Sequence, residues 1–279
     1  MLRTDLLLDP FGARWAELRT AAIAAEEAGF DGIWTWDHLA GSVHREHRIL
    51  ECWTVLSALA PLLQRVTIGP LVLNVANRHP GVVAGMAATL QEVSGGRLLL
   101  GIGAGGGAGT PYATEQEALG RPVLGDAARR RQVAEAIGVI RQLWTGRASP
   151  REGRYFSLGS ALGYLRPEPP PPIIVGAFGG KMAELAGRLG DGINTQAAHP
   201  RLPELIATAR GAHTTSGGDP DAFIVTVFAG LDRRWVENRS PDREHLKSLG
   251  VQRLVLLTHP PYDPGTIAAA GRLLGPSDP

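Results

Sequence analysis

Asp37 and His38 follow, after Trp36, on a short apolar run, residues 32–35, and are the first neighbours in the chain whose side chains suggest chemistry. A carboxylate beside an imidazole can hold a hydrogen bond and present a titrating group at one place. The same two residue types also cap turns with no further role, so both readings stand at this point. Further along, Gly101-Ile102-Gly103-Ala104-Gly105-Gly106 matches G-x-G-x-x-G after a second apolar run. A dinucleotide-binding turn of that form opens straight into a helix and is answered by an acidic residue about 20 positions later. Here residues 107–111 prolong the loop, and no acid ends a following strand-like run. The expectation is instead that Gly103 and Gly105 let backbone approach a planar ligand. A third candidate, Gly176-Ala177-Phe178-Gly179-Gly180, joins the β-branched run Ile173-Ile174-Val175 to a helical pattern that starts near Lys181. Free N–H groups at a helix start bind phosphate, and glycines let phosphate approach them. A ligand-free βα turn has the same composition. Lys181 and Asn194 are available to assist.

Other patterns are weaker. His44 and His47 lie three apart in a loop, match no H-E-x-x-H helix, and have no cysteines to complete a ligand set, so no metal site is expected. Cys52 is the only cysteine, which excludes an intramolecular disulfide and suits a reducing cytoplasm. Ser42, Ser57 and Ser94 lack the G-x-S-x-G context of a hydrolase nucleophile. A formal net charge of +1 gives no electrostatic reason to expect nucleic acid or an anionic membrane as partner. No apolar stretch approaches the roughly 20 residues that span a bilayer, and the first apolar run is interrupted by Asp9-Pro10 before a secretory segment forms. The chain is read as cytoplasmic.

These residues need elements to position them. Apolar runs at 5–8, 32–35, 66–72, 98–102, 173–175, 192–195, 223–228 and 253–257 alternate with helical periodicity at 15–28, 52–63, 80–93, 127–144, 181–189, 203–213, 243–249 and 266–274. That alternation predicts eight right-handed βα units around a parallel sheet. Closing the sheet into a (β/α)8 TIM barrel removes its edges, whereas an open doubly wound sheet leaves a crevice where strand order reverses. Gly29, Gly95-Gly96, Gly190 and Gly250 end helical patterns and suit left-handed caps. With 44% hydrophobic residues, the 279-residue chain is expected to bury one large core as a single domain. The stretch 146–172, which ends in a proline run, is expected to be an excursion within it. In such a barrel the reactive residues follow the strand C-termini, which selects Asp37, His38, Asn74, Gly103, Gly105 and the 176–180 turn.

Taken in order, several segments resemble the luciferase-like monooxygenase superfamily over nearly the whole chain. They are residues 25–39 (AEEAGFDGIWTWDHL), Arg78-His79-Pro80, residues 89–105 (TLQEVSGGRLLLGIGAG), residues 143–146 (LWTG), Val175-Gly176 and residues 186–192 (AGRLGDG). The resemblance implies a bacterial luciferase-like TIM barrel that binds FMN or the deazaflavin coenzyme F420. Trp34-Thr35-Trp36-Asp37-His38 resembles the F420-dependent branch, in which the Asp-His pair lies against the deazaflavin. Carried over, Asp37 hydrogen-bonds the cofactor edge and His38 orients the cofactor or handles a proton beside its reactive carbon.

Residues 69–74 (GPLVLN) resemble the family's third strand, where a non-prolyl cis peptide, here Leu71–Val72, bulges behind the ring near Asn74. The turn Gly176, Ala177, Phe178, Gly179 and Gly180 would take the cofactor phosphate. The resemblance implies an oxidoreductase that transfers a hydride between F420 and a small organic substrate. An FMN-dependent monooxygenase and a non-catalytic homologue are the alternatives, and a homodimer is implied by the family alone. One departure stands out: several deazaflavin dehydrogenases place glutamates after the first and fourth strands, where this chain shows Asp9 and the glycine-rich run 104–109.

Overall fold

Strands buried on both faces read as continuous apolar runs rather than as alternation. In the computed structural model, which describes residues 2–275, these runs become the staves of a barrel. The elements in chain order are β1 (Arg3–Leu8), α1 (Trp15–Glu27), β2 (Gly32–Thr35), α2 (Cys52–Leu59), β3 (Thr67–Pro70), β4 (Leu73–Asn74), α3 (Pro80–Val93) and β5 (Leu100–Gly103). They continue with α4 (Thr114–Ala118), α5 (Asp126–Leu143), β6 (Arg147–Ala148), β7 (Ala161–Leu162), β8 (Ile173–Gly176), α6 (Gly180–Leu189), β9 (Gly192–Gln196), α7 (Leu202–Thr215), β10 (Ile224–Gly230), α8 (Arg233–Val236), α9 (Pro241–Ser248), β11 (Arg253–Thr258) and α10 (Pro264–Leu274).

The main sheet runs β3-β2-β1-β11-β10-β9-β8-β5-β4, and every pairing within it is parallel. β3 and β4 are two halves of one stave. The first pairs with β2 and the second with β5, and a bridge from Ile68 to Leu98 completes the circuit. The expected third strand, 66–72, is therefore broken. The peptide Leu71–Val72 is cis, as the resemblance implies, and the chain steps sideways there before pairing resumes at Leu73. The expected helix 243–249 is present as α9, and a four-residue helix that was not expected, α8, precedes it. Gly29 and Gly250 take the left-handed conformation expected of them, but Gly190 does not. Gly190 is needed for closeness: a Cβ there would lie 2.8 Å from the Ala186 carbonyl oxygen and 2.9 Å from Val175.

Apolar side chains divide between two cores. Most lie between the staves and the surrounding helices, while Leu7, Trp34, Leu71, Leu99 and Val255 fill the barrel interior. At the N-terminal end the interior turns polar: Arg253 donates to both oxygens of Asp5 at 2.7 Å, and the Trp34 indole N–H donates to the same carboxylate. A buried ion pair is tolerated only when its hydrogen-bonding capacity is used, and Thr67 takes a further guanidinium N–H. At the opposite end Trp36, Val72, Phe228 and Leu257 cap the interior layer. The stretch 146–172 contributes the small antiparallel pair β6–β7 outside the barrel.

Candidate active site

Trp36, Val72, Phe228 and Leu257 form the floor of a cavity of about 910 Å³ at the C-terminal ends of the staves. That volume suits a cofactor with a small substrate. The chain reaches His38 three residues beyond the end of β2, so the register of that stave sets the imidazole at the rim. His38 lies between the rings of Phe11 and Tyr112, with centroids 5.2 and 5.5 Å away. Its Nδ1 lies 3.1 Å from Oε2 of Glu115.

Glu115 belongs to the short helix α4, which the loop after β5 folds back over the mouth. Its other oxygen accepts the backbone N–H groups of Leu39 and Ala40, each at 2.9 Å. Burial alone would push this carboxyl up. The hydrogen bonds from His38, Ala40 and Leu39 outweigh it and hold Glu115 below the usual glutamate range. An ionised carboxylate only accepts, so Nδ1 of His38 carries the proton, and Nε2 is an acceptor whenever the ring is neutral. The absence of a glutamate after the fourth strand is thus corrected: Glu115 occupies that loop. The rule that βα loops carry reactive groups points to this loop, but only its glycine-rich start has a recognisable pattern. Nothing in the spacing of residues 111–120 tells that it returns to β2.

Asp37 lines the same cavity, as expected, but its carboxylate is engaged by the protein. Its side chain is fully buried. Arg78 donates to both of its oxygens at 2.8 and 2.9 Å, and the Asn74 backbone N–H donates to Oδ2 at 2.9 Å. With three protein donors on its two oxygens, the Asp37 carboxylate ties the ends of β2 and β4 together. Arg78 also reaches Glu51 at 2.5 Å. Burial would raise the Glu51 carboxyl, but hydrogen bonds from Thr54, Trp53 and Arg78 bring it below its ordinary value.

Leu71, Val72, Asn74, Gly103 and Gly105 all line the cavity, and close packing also requires the two glycines. A Cβ at Gly103 would lie 2.5 Å from a methyl of Val72, and one at Gly105 would lie 2.5 Å from the Asn74 amide. Protein fills that space. At the far end of the cavity Gly176, Phe178, Gly179 and Gly180 line the wall with Lys181, Arg129 and Arg130. Ala177 does not belong with them. It is buried in the outer core, and its N–H is donated to the Asn194 carbonyl at 2.8 Å. Asn194 is likewise buried, on Thr226.

The first helical bonds of α6 are accepted by Gly179, from Met182 and Ala183, so the N–H groups just before them are the free donors of a helix start. A Cβ on Gly179 would meet nothing within 4 Å, and one on Gly180 only a guanidinium nitrogen at 3.8 Å. This open cradle fits a phosphate. Among the described residues no cluster of three metal-ligating side chains occurs. His44 packs on Phe11 and also lines the cavity.

A parallel barrel whose mouth holds a histidine-carboxylate pair, an aromatic floor and an open, glycine-lined helix start defines a class, and the sequence comparison agrees with it. The model of the luciferase-like monooxygenase family matches residues 3–231, and the chain belongs to that family. An F420-dependent glucose-6-phosphate dehydrogenase of Microbacterium testaceum is 36% identical over 222 residues, covering 77% of this chain and 57% of that protein. A 5,10-methylenetetrahydromethanopterin reductase of Archaeoglobus fulgidus is 30% identical, covering 87% of this chain and 66% of that one. The chain thus spans little more than half to two thirds of the length of these relatives. An F420-dependent secondary alcohol dehydrogenase, solved with an F420-acetone adduct, shares the fold at TM-score 0.82 and 21% identity over 98% of both chains.

Proposed function

We propose that this protein is an F420-dependent oxidoreductase that exchanges a hydride between the deazaflavin and a small alcohol or carbonyl substrate. The observation that carries the reading is the His38–Glu115 pair facing a cavity that ends in a phosphate cradle. F420, when bound, supplies a ring carbon that takes or gives two electrons as hydride. The chain does the rest. The N–H groups at the start of α6, beside Gly176, Phe178, Gly179 and Gly180, would hold the phosphate, with Lys181 near them. Leu71, Val72 and Asn74 would back the ring system, and Trp36 and Phe228, packed edge to face at 6.1 Å, would keep water from one side.

His38 handles the proton. Glu115 fixes Nδ1–H, so Nε2 takes the hydroxyl proton as an alcohol becomes a carbonyl and returns it in the reverse reaction. The relatives' names specify different substrates, so the reading stops at this class. It treats the chain as one domain acting in the cytoplasm, with the homodimer as its expected assembly. Titration of the purified protein with F420 and, separately, FMN tests it by emission quenching. Saturable micromolar quenching of F420 with none of FMN supports the reading. Preferential FMN binding would replace it with a flavin monooxygenase, and binding of neither would indicate a non-catalytic homologue.

A further inference from the structure

β1 and β11 pair in parallel with Leu8 opposite Thr258. One step further the two chains deliver Asp9 and His259 side by side at the mouth, and the Asp9 N–H extends the ladder to the Thr258 carbonyl at 3.1 Å. Asp9 is 3% exposed. Its Oδ1 accepts the Phe11 N–H at 3.0 Å, and its Oδ2 lies 2.6 Å from Nδ1 of His259. The Tyr262 hydroxyl donates to the Asp9 carbonyl; burial first, and then the Asp9 charge, push that phenol above its ordinary range, so it stays a donor. His259 itself is 65% exposed and lines the same cavity as His38. The mouth therefore carries a second histidine-carboxylate pair, and Phe11, whose N–H binds Asp9, packs its ring on His38 of the first.

We infer that His259 is a substrate-binding residue that accepts a hydrogen bond from a second hydroxyl of the substrate, with Asp9 as its positioning residue. This rests on the alcohol or carbonyl reading above for the reacting end only. The argument is one of hydrogen-bond polarity. Asp9 accepts, so Nδ1 of His259 donates, and Nε2 of the neutral ring offers a lone pair to the cavity. Carboxylates, phosphates and carbonyls lack the donor such a group needs. A hydroxyl has one, and a buried carboxylate behind the ring fixes its direction as a second ligating shell does at other sites. The substrate class is a carbonyl or alcohol bearing a further hydroxyl, rather than a plain alkyl alcohol.

The test is 15N NMR of histidine-labelled protein, with His259→Ala assigning the resonances. Because His259 is mostly exposed, that variant retains the fold. In the wild type Nδ1 is expected to be protonated and Nε2 not. Adding 1,3-butanediol should move the His259 Nε2 resonance, and adding 2-butanol should leave it in place. In Asp9→Asn the amide oxygen keeps the Phe11 N–H, so the NH2 faces Nδ1, the ring protonates at Nε2, and the diol response disappears. Equal responses to the two alcohols, no response to either, or an unprotonated Nδ1 in the wild type would overturn the inference. F420 quenching measured on the same samples keeps the two readings apart. Absent quenching with an intact His259 response would remove the coenzyme and leave this pair standing.

Discussion

Replacing Glu115 by glutamine changes one atom type and should reverse the polarity of His38. The wild-type carboxylate serves two backbone N–H groups with Oε1 and Nδ1 of His38 with Oε2. A glutamine can meet these partners in two orientations. With its oxygen on Leu39 and Ala40, its NH2 faces Nδ1, which must then accept, moving the ring proton to Nε2. With its oxygen on His38, the NH2 opposes two N–H donors and leaves both without a partner, at about 1–3 kcal/mol each. The first orientation is favoured by roughly 2–6 kcal/mol on that basis, far more than a change of tautomer requires. Nε2 then cannot take a substrate proton. Loss of a positioned general base lowers turnover by about 10²- to 10⁴-fold, equivalent to roughly 3–5 kcal/mol of barrier. The assay is the rate of F420 reduction with 1,3-butanediol as probe, alongside the 15N signature of His38 and urea unfolding. Glu115→Gln should keep F420 affinity and lose about 2 kcal/mol of stability as charge-assisted bonds become neutral ones. Glu115→Ala should lose more, because both N–H groups are orphaned. A glutamine variant with wild-type turnover, or with His38 still protonated at Nδ1, would refute the reasoning.

Three further outcomes follow from the same geometry. Arg78→Ala leaves the fully buried Asp37 carboxylate with the Asn74 N–H alone, and should lower unfolding free energy by about 3–5 kcal/mol; Asp37→Asn added to it should recover part of that loss in urea titrations. Gly179→Glu places a carboxylate in open space at the start of α6, so F420 affinity should fall at least tenfold while the unfolding midpoint stays put; unchanged affinity would move the phosphate elsewhere. Glu26, Glu51 and Glu115 are all held below their ordinary value of 4.5, each against a burial contribution that would raise it. The unfolded chain then binds more protons than the folded one in that region, so stability is full above 4.5 and declines as pH falls through the folded values. Urea midpoints measured across that range should show the decline, and Glu115→Gln should make it shallower.

The alternation of apolar runs and helical periods determined the barrel, because strands covered on both faces and helices with one apolar stripe leave few other ways to bury both. The same local logic reached His38 and the start of α6, which lie within a few residues of a strand end; the Leu71–Val72 break came from the family resemblance alone, since the apolar run 66–72 reads as one strand. What the chain order could not carry was who faces whom around the rim. Asp37 reads as a reactive acid until Arg78, 41 residues later, is seen to claim both its oxygens. Ala177 reads as part of a phosphate turn until its N–H is found on Asn194. Glu115 and His259 carry no motif, and their partners lie 77 and 250 positions away. Side-chain periodicity reports which face of an element is buried, but a hydrogen bond between two loops depends on the closed circuit of staves that brings their ends to one mouth. Only the tertiary structure makes that circuit, and it decides which of the polar residues at the rim are held from behind and which are left to meet a substrate.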